Sequence, residues 1–349
     1  MREIVRSLRS TGWLLMATFI ASAAFAQAPS STLLVLAKSD NTVAIVDPAT
    51  LQVLARIPAG PDPHEIIASD DGKLAYISNY GGSDSTLNTI SVVDLVARKP
   101  LPAIDLGALR STHGLDFAGG KLYFTAETNK VIGRYDPATQ RVDWILGTGQ
   151  DRTHMIAVSK SLDRIVTSNV NSATISIIEQ APPPSGSFSP PGGPRLTWEV
   201  TNVPAGQGAE GFDISPDGKE IWAANARDAT VTIIDVVTKK PTQTLPIPVK
   251  GANRLKFTPD GKHVLISGLG ARQADSSLVV IDAATRKEVK QLNLGGGAAG
   301  ILIAPDGSRA YVAVSTADRI AVVDLKTLEV IGQIDAGKQP DGLAWAVRQ

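Results

Sequence analysis

From about residue 30 the chain repeats itself, and the period of that repeat limits the fold more than any other feature. A turn signal followed by an apolar run recurs as S-D-D-G-K at 69–73, S-P-D-G-K at 215–219, T-P-D-G-K at 258–262 and A-P-D-G-S at 304–308. Asp-Gly between apolar runs is a hairpin signal. A second element is an apolar run ending in Asp with Thr three residues later: Asp47 and Thr50, Asp136 and Thr139, Asp235 and Thr238, Asp282 and Thr285, Asp324 and Thr327. These residues suit a turn, where their side chains bond the local backbone. Asp94 and Glu179 hold the same slot in degraded copies.

Each unit reads as four short strands, for example 211–214, 220–224, 230–235 and 241–245. Equivalent first-strand positions are His64, His113, His154, Glu210, Asn253, Ala299 and Asp341, separated by 49, 41, 56, 43, 46 and 42 residues. Four strands per 40–50 residues is the signature of a propeller blade. The last first strand, 342–346, has no successors, whereas three strands near the N-terminus, 33–37, 43–47 and 54–57, have no first strand. The expected fold is therefore all-β: a seven-bladed β-propeller of four-stranded antiparallel blades, its ring closed by the C-terminal strand completing the N-terminal blade. Closure removes the sheet edges that an open array would expose.

Composition agrees with this and excludes several chemistries. The 31 Gly and 22 Pro follow no collagen-like period and supply turns. With 34 basic against 34 acidic side chains there is no basic footprint for nucleic acid. No cysteine is present, which rules out disulfides, thiolate-bound metal and a Cys nucleophile. There is no G-x-S-x-G, H-E-x-x-H, P-loop or C-x-x-C-H. The Gly-rich L-G-G-G-A-A-G at 294–300 reads as an inter-blade turn, so neither nucleotide nor haem is expected.

Residues 1–26 read as a secretory signal peptide, with Arg2, Arg6 and Arg9 preceding an apolar run from Trp13 to Ala21 and an Ala24-Phe25-Ala26 cleavage site. The run is shorter than the ~20 residues that span a bilayer. The expectation is a single domain over 27–349, periplasmic or secreted, monomeric and without a membrane span after cleavage. Its charge would be −2, from 31 basic and 33 acidic groups. A Pro/Gly/Ser-rich insertion at 181–195 enlarges one turn between third and fourth strands.

The repeats, with second strands such as A-Y-I-S-N-Y at 75–80, L-Y-F-T-A-E-T-N at 122–129 and A-Y-V-A-V-S at 310–315, resemble the YVTN-type, YncE-like exported seven-bladed propellers. The resemblance covers residues 31–349. It implies kinship in fold with the quinoprotein amine dehydrogenase large subunit and with the propellers of nitrous oxide and cytochrome-cd nitrite reductases. It says little about function, because this fold hosts enzymes, binders and scaffolds alike.

Chemistry points to the histidines. Three of the four in the chain, His64, His113 and His154, share one position in consecutive blades. The first strand of a blade lines the central channel, so the three converge at its mouth, followed around the ring by Glu210, Asn253, the small Ala299 and Asp341. His64, His113, His154 and Glu210 form a nitrogen and oxygen set suited to a divalent ion such as Zn, Cu, Mn or Mg. The same ring could instead hold a metal-free polar ligand, or simply satisfy its own hydrogen bonds. Arg152 and Glu65 flank ring members and could orient the imidazoles.

The same face also receives the turns between second and third strands, with Asn79, Tyr80, Glu127, Asn129, Asn169, Asn171, Asn225, Arg227 and Arg272. Most of these Asn read as turn formers that tolerate left-handed backbone, whereas Tyr80 and Arg272 are the candidates for catalytic or substrate contact. His263 falls on the far side. Three roles stay open. The first is a module binding a small molecule or protein partner at the channel mouth. The second is a metal-dependent lyase or lactonase-like hydrolase, in layout similar to virginiamycin B lyase and the propeller lactonases. The third is an accessory protein in periplasmic redox metabolism.

Overall fold

The computed structural model describes residues 31–82, 85–182, 196–270, 275 and 277–348. The leader read at 1–26, residues 183–195 of the insertion, and Arg272 lie outside the described residues. Among the described residues the strands run from β1 (Ser31–Ala37) to β28 (Pro340–Val347), with a 3-10 turn at Ser315–Ala317 as the one helical element. No helix among them is long and apolar enough to cross a membrane.

The strands form seven four-stranded antiparallel sheets. Six blades are continuous in sequence, over residues 63–105, 112–147, 153–204, 209–246, 252–292 and 301–334. The seventh joins the two ends of the chain, in the order β28, β1, β2 (Thr42–Val46), β3 (Val53–Pro58). Thr32 pairs with Ala346 and Val35 with Leu343, which is the expected closure.

Burial follows strand position. Second strands are buried on both faces, as at Leu74–Asn79 and Glu220–Asn225, with apolar centres and a buried Asn at the channel end of each. Outer strands face water: Arg141–Gly147 alternates between exposed and half-buried residues, and Lys240–Pro246 is exposed except at Leu245. The core therefore lies between adjacent blades. Leu34, Ile45 and Ala344 of the seventh blade meet Ile77 and Val93 of the first, and Trp222 of the fourth meets Phe257 of the fifth edge-to-face at 5.5 Å.

The turn residues behave as expected. Ser69 donates to Asp71, which also accepts from the Lys73 N–H, and the pattern recurs at Asp217 and Asp260. Thr50, Thr238, Thr285 and Thr327 each donate to the Asp three residues before. The Asn expectation is corrected. Asn79, Asn169 and Asn225 end buried strands with ordinary backbone, and each donates to hydroxyls on the third strand, as Asn79 does to Thr89 and Ser91.

One irregularity aims the ring into the channel. In the first blade Pro63 pairs with Asn79 but Ile66 with Ile77, so His64 and Glu65 oppose Ser78 alone. The same two-against-one bulge places His113-Gly114 opposite Thr125, His154-Met155 opposite Ser168, Glu210-Gly211 opposite Ala224, Asn253-Arg254 opposite Ser267, and Asp341-Gly342 opposite Leu36. Such a bulge re-aims a side chain and leaves an amide off the ladder.

A hydroxyl on the opposing residue takes up that amide. Thr125 accepts from Gly114 N–H at 2.9 Å and donates to the His154 carbonyl of the next blade at 2.8 Å. Ser168 does the same between Met155 and Glu210, and Ser267 between Arg254 and Ala299. A β-carbon at Gly114 would collide with that His154 carbonyl, so glycine permits the close approach.

Two measurements check this architecture. Deleting residues 340–349 opens the seventh blade and should lower the thermal midpoint far more than loss of ten surface residues would; an unchanged midpoint would refute closure. Thr125→Val keeps shape but orphans one buried N–H and one carbonyl, so chemical denaturation should show a loss of about 2–4 kcal/mol, taking ~1–2 per group.

Candidate functional site

The ring positions lie where the repeat spacing predicts. His64, His113, His154, Glu210, Asn253, Ala299 and Asp341 all line one cavity of about 150 Å³. Two residues before the ring position the backbone is left-handed in six blades, at Asp62, Ser111, Arg152, Gly208, Gly251 and Gln339. For the four that are not glycine this costs about 1–2 kcal/mol each, and it swings the chain from the inter-blade loop into the bulge.

Three imidazoles stack in sequence. His64 and His113 have ring centroids 4.8 Å apart, and His113 and His154 are 3.6 Å apart and tilted by 31°. Tyr80 stands edge-on to His64 and His113, at 4.9 and 4.7 Å. The three histidines are in different states because their partners differ.

His154 is enclosed by carboxylates. Its Nδ1 lies 2.5 Å from Glu127 Oε1 and its Nε2 2.8 Å from Glu210 Oε2. Burial disfavours the imidazolium, but Glu210 and Glu127 together outweigh it and raise the pKa above the ordinary histidine value. Burial likewise works against the Glu210 charge, yet His154, Arg152 and Arg254 bring its pKa down to about 2.

His113, only 1% exposed, has no carboxylate contact, and burial followed by the positive charge of His154 drives its pKa well below the usual range. Its buried Nδ1 has no hydrogen-bond partner among the described residues. His64 is held near pKa 4, chiefly by burial, against the opposing pull of Asp341. Its Nε2 accepts from the Lys38 ammonium at 2.5 Å, while Nδ1 faces Asp341 at 3.3 Å without hydrogen-bond alignment.

Glu127 is the hub of this arrangement. It is 3% exposed, accepts from Tyr80 Oη at 2.7 Å, pairs with His154, and faces Arg152 Nε at 3.5 Å. Arg152 also reaches Glu210 at 3.5 Å, so it adjoins the charges around His154, as its place in sequence suggests. Glu65 departs from expectation: its carboxylate receives Arg254 NH2 at 2.5 Å, across the channel from the fifth blade, rather than orienting an imidazole.

The expected metal set is also rearranged. Ligand atoms of His113, Glu127 and His154 lie within 4.8 Å of one another, whereas His64 and Glu210 stand outside that group. Two nitrogens and a carboxylate oxygen fit a borderline divalent ion and leave a fourth position open.

Sequence reading left Glu127 without a role and passed over Lys38 and Arg254. A signal for the first two exists. The residue just after each second strand is Lys38, Tyr80, Glu127, Val170, Ala226, Leu269 or Ser315, and Lys38, Leu269 and Ser315 line the cavity with the ring residues. Aligning that slot as well as the ring position would have shown a second polar tier in the seventh, first and second blades. His263 opens the strand His263–Gly268 at the opposite end of its blade, away from this cavity.

No family model matches this chain, and no curated relative does. Solved structures do resemble it. A functionally unknown protein from Desulfotomaculum acetoxidans DSM 771 is 13% identical with a TM-score of 0.68, covering 88% of this chain and 98% of its own. A candidate 6-phosphogluconolactonase from Bacteroides fragilis NCTC 9343 is 16% identical with a TM-score of 0.69, covering 90% and 97%. Dihydro-heme d1 dehydrogenase NirN, in complex with DHE, is 16% identical with a TM-score of 0.65, covering 92% and 76%. At such identities the likeness establishes the fold: this chain is a seven-bladed β-propeller.

The hub role of Glu127 can be measured. Glu127→Ala leaves His154 and Arg152 short of a buried counter-charge and should cost about 3–5 kcal/mol in denaturant unfolding. Tyr80→Phe removes one hydrogen bond to a charged group and should cost about 1.5–3 kcal/mol. Equal losses in the two variants would contradict the shared role.

Proposed function

We propose that this chain is an exported YVTN-type propeller that works as a binding module, with a divalent metal ion held at the channel mouth by His113, Glu127 and His154. The observation that carries this reading is the grouping of a ring nitrogen of His113, a carboxylate oxygen of Glu127 and a ring nitrogen of His154 within 4.8 Å of one another, together with a buried His113 Nδ1 that has no hydrogen-bond partner among the described residues. A native structure seldom leaves such an atom unsatisfied. Without cysteine, nitrogen and oxygen are the donors available, which suits Zn, Cu or Mn better than a soft-ligand ion. His113, Glu127 and His154 would hold the ion, the proton shared by His154 and Glu127 leaving to solvent as it binds, with Tyr80 and Arg152 bracing the carboxylate. Export rests on the signal-like sequence read at 1–26, and the binding role on the polar cavity at the channel mouth, which suits a small molecule or a protein partner.

A second reading is favoured by Tyr80. Its phenol is buried and hydrogen-bonded to Glu127, and burial, then the Glu127 charge, raises its pKa. A bound metal supplies Lewis acidity, and a tyrosine kept protonated beside it could donate a proton, as a lyase or lactonase-like hydrolase requires. A cavity of about 150 Å³ leaves little room for a substrate beside the metal.

Metal analysis of the purified mature protein separates these. Stoichiometric Zn, Cu or Mn and a raised melting temperature are expected, both lost in a His113→Ala, His154→Ala double variant. Metal-free protein whose melting temperature no divalent ion moves would sink the metal reading. Turnover of a lactone, ester or lyase substrate, abolished by Tyr80→Phe, would promote the enzymatic reading over the binding one.

A further inference from the structure

We infer that the channel-mouth cavity binds a small oxyanion, a carboxylate or an inorganic anion such as phosphate, through Lys38, Arg152 and Arg254. This concerns the same cavity as the metal reading but uses different side chains, none of them a metal ligand.

Lys38, Arg152 and Arg254 line the cavity together with Glu210 and Asp341. With His154, Glu127 and Glu65 behind them the basic and acidic groups are equal in number, and Arg254 is held by Glu65. An anion here is therefore recognised by donors that face the cavity, not by net charge.

The cations also have donor capacity to spare. Arg152 meets its two carboxylates at 3.5 Å each, donating to Glu210 at that length, and its buried Nε has no aligned acceptor among the described residues. Lys38 has three ammonium protons, directed at His64 and Asp341, and its side chain is 17% exposed. A guanidinium fork with an ammonium is the usual recognition set for carboxylate and phosphate oxygens.

Size narrows the class. At about 150 Å³ the cavity is below the ~300–1,000 Å³ of sites for drug-sized ligands and corresponds to roughly five waters. Ala299, where other blades place a longer side chain, keeps one wall open. Below the mouth, the Glu65–Arg254 bridge crosses between the first and fifth blades, so an anion entering here meets a floor.

Isothermal titration of the full mature chain in low-chloride buffer, with phosphate and separately with oxalate, tests this on EDTA-treated and metal-supplemented protein. Saturable binding of either anion to EDTA-treated protein is expected, weakened at least tenfold in Lys38→Met and in Arg152→Met and unchanged in Lys219→Met on the opposite face. Phosphate alone would mark an inorganic site, and oxalate alone a carboxylate site. No saturable binding of either, or wild-type affinity in both cavity variants with melting temperatures preserved, would overturn the inference. A protein that binds the anions but no metal would discard the metal reading and leave this one standing; one that binds metal but neither anion would do the reverse.

Discussion

The two-residue bulge in the innermost strand is the constraint on which the rest of this propeller depends. A regular strand turns alternate side chains to its two faces, both of which are packed against neighbouring blades. Inserting one extra residue frees a side chain to point along neither face but into the channel. The cost is an amide removed from the ladder in a place water cannot reach. Thr125, Ser168 and Ser267 meet it with a hydroxyl whose own proton goes to the ring carbonyl of the following blade. The bond that legitimises the bulge is thus also one that ties blade to blade, so the geometry of the mouth and the closure of the ring are linked.

That geometry creates an electrostatic problem which the side chains solve jointly. Four basic and acidic pairs converge within a few ångströms, and each would be expensive alone. Their proton affinities diverge accordingly: two carboxylates outweigh burial and raise that of His154, while burial and the neighbouring His154 lower that of His113, whose ring is 3.6 Å away and tilted. Three histidines alike in repeat position are therefore unlike in chemistry. His64 accepts from Lys38 through Nε2, His154 meets a carboxylate at each ring nitrogen, and the Nδ1 atoms of His64 and His113 have no aligned partner among the described residues.

How much of this could be read from the chain varies by level. The blade count, the strand pattern and the closure by residues 340–347 follow from turn signals at a regular spacing, because local turn chemistry and apolar runs are properties of short segments. The ring of seven positions is legible for the same reason. Glu127 was visible only as a rim residue, and Glu65 was misassigned as a partner of the imidazoles. Both errors share a cause: the identity of a side chain's partner depends on which blades face each other across the channel. Glu65 and Arg254 are 189 residues apart and meet because the first and fifth blades do. The Asn of the second strands were misread in a different way, since Asn79, Asn169 and Asn225 end strands and point inward to hydroxyls on the third strand.

The sequence by itself determined a closed ring of seven antiparallel blades, with three histidines, a glutamate, an asparagine, an alanine and an aspartate at equivalent places on it. Periodicity suffices for that, because each blade repeats the same local bonding problem and solves it alike. Only the tertiary structure decided which of those residues pair, which way each proton affinity shifts, and that a residue from a second slot, Glu127, becomes the centre of the site. Those outcomes depend on distances between groups on different blades, where burial and a few ångströms decide between a charged pair and an orphaned nitrogen.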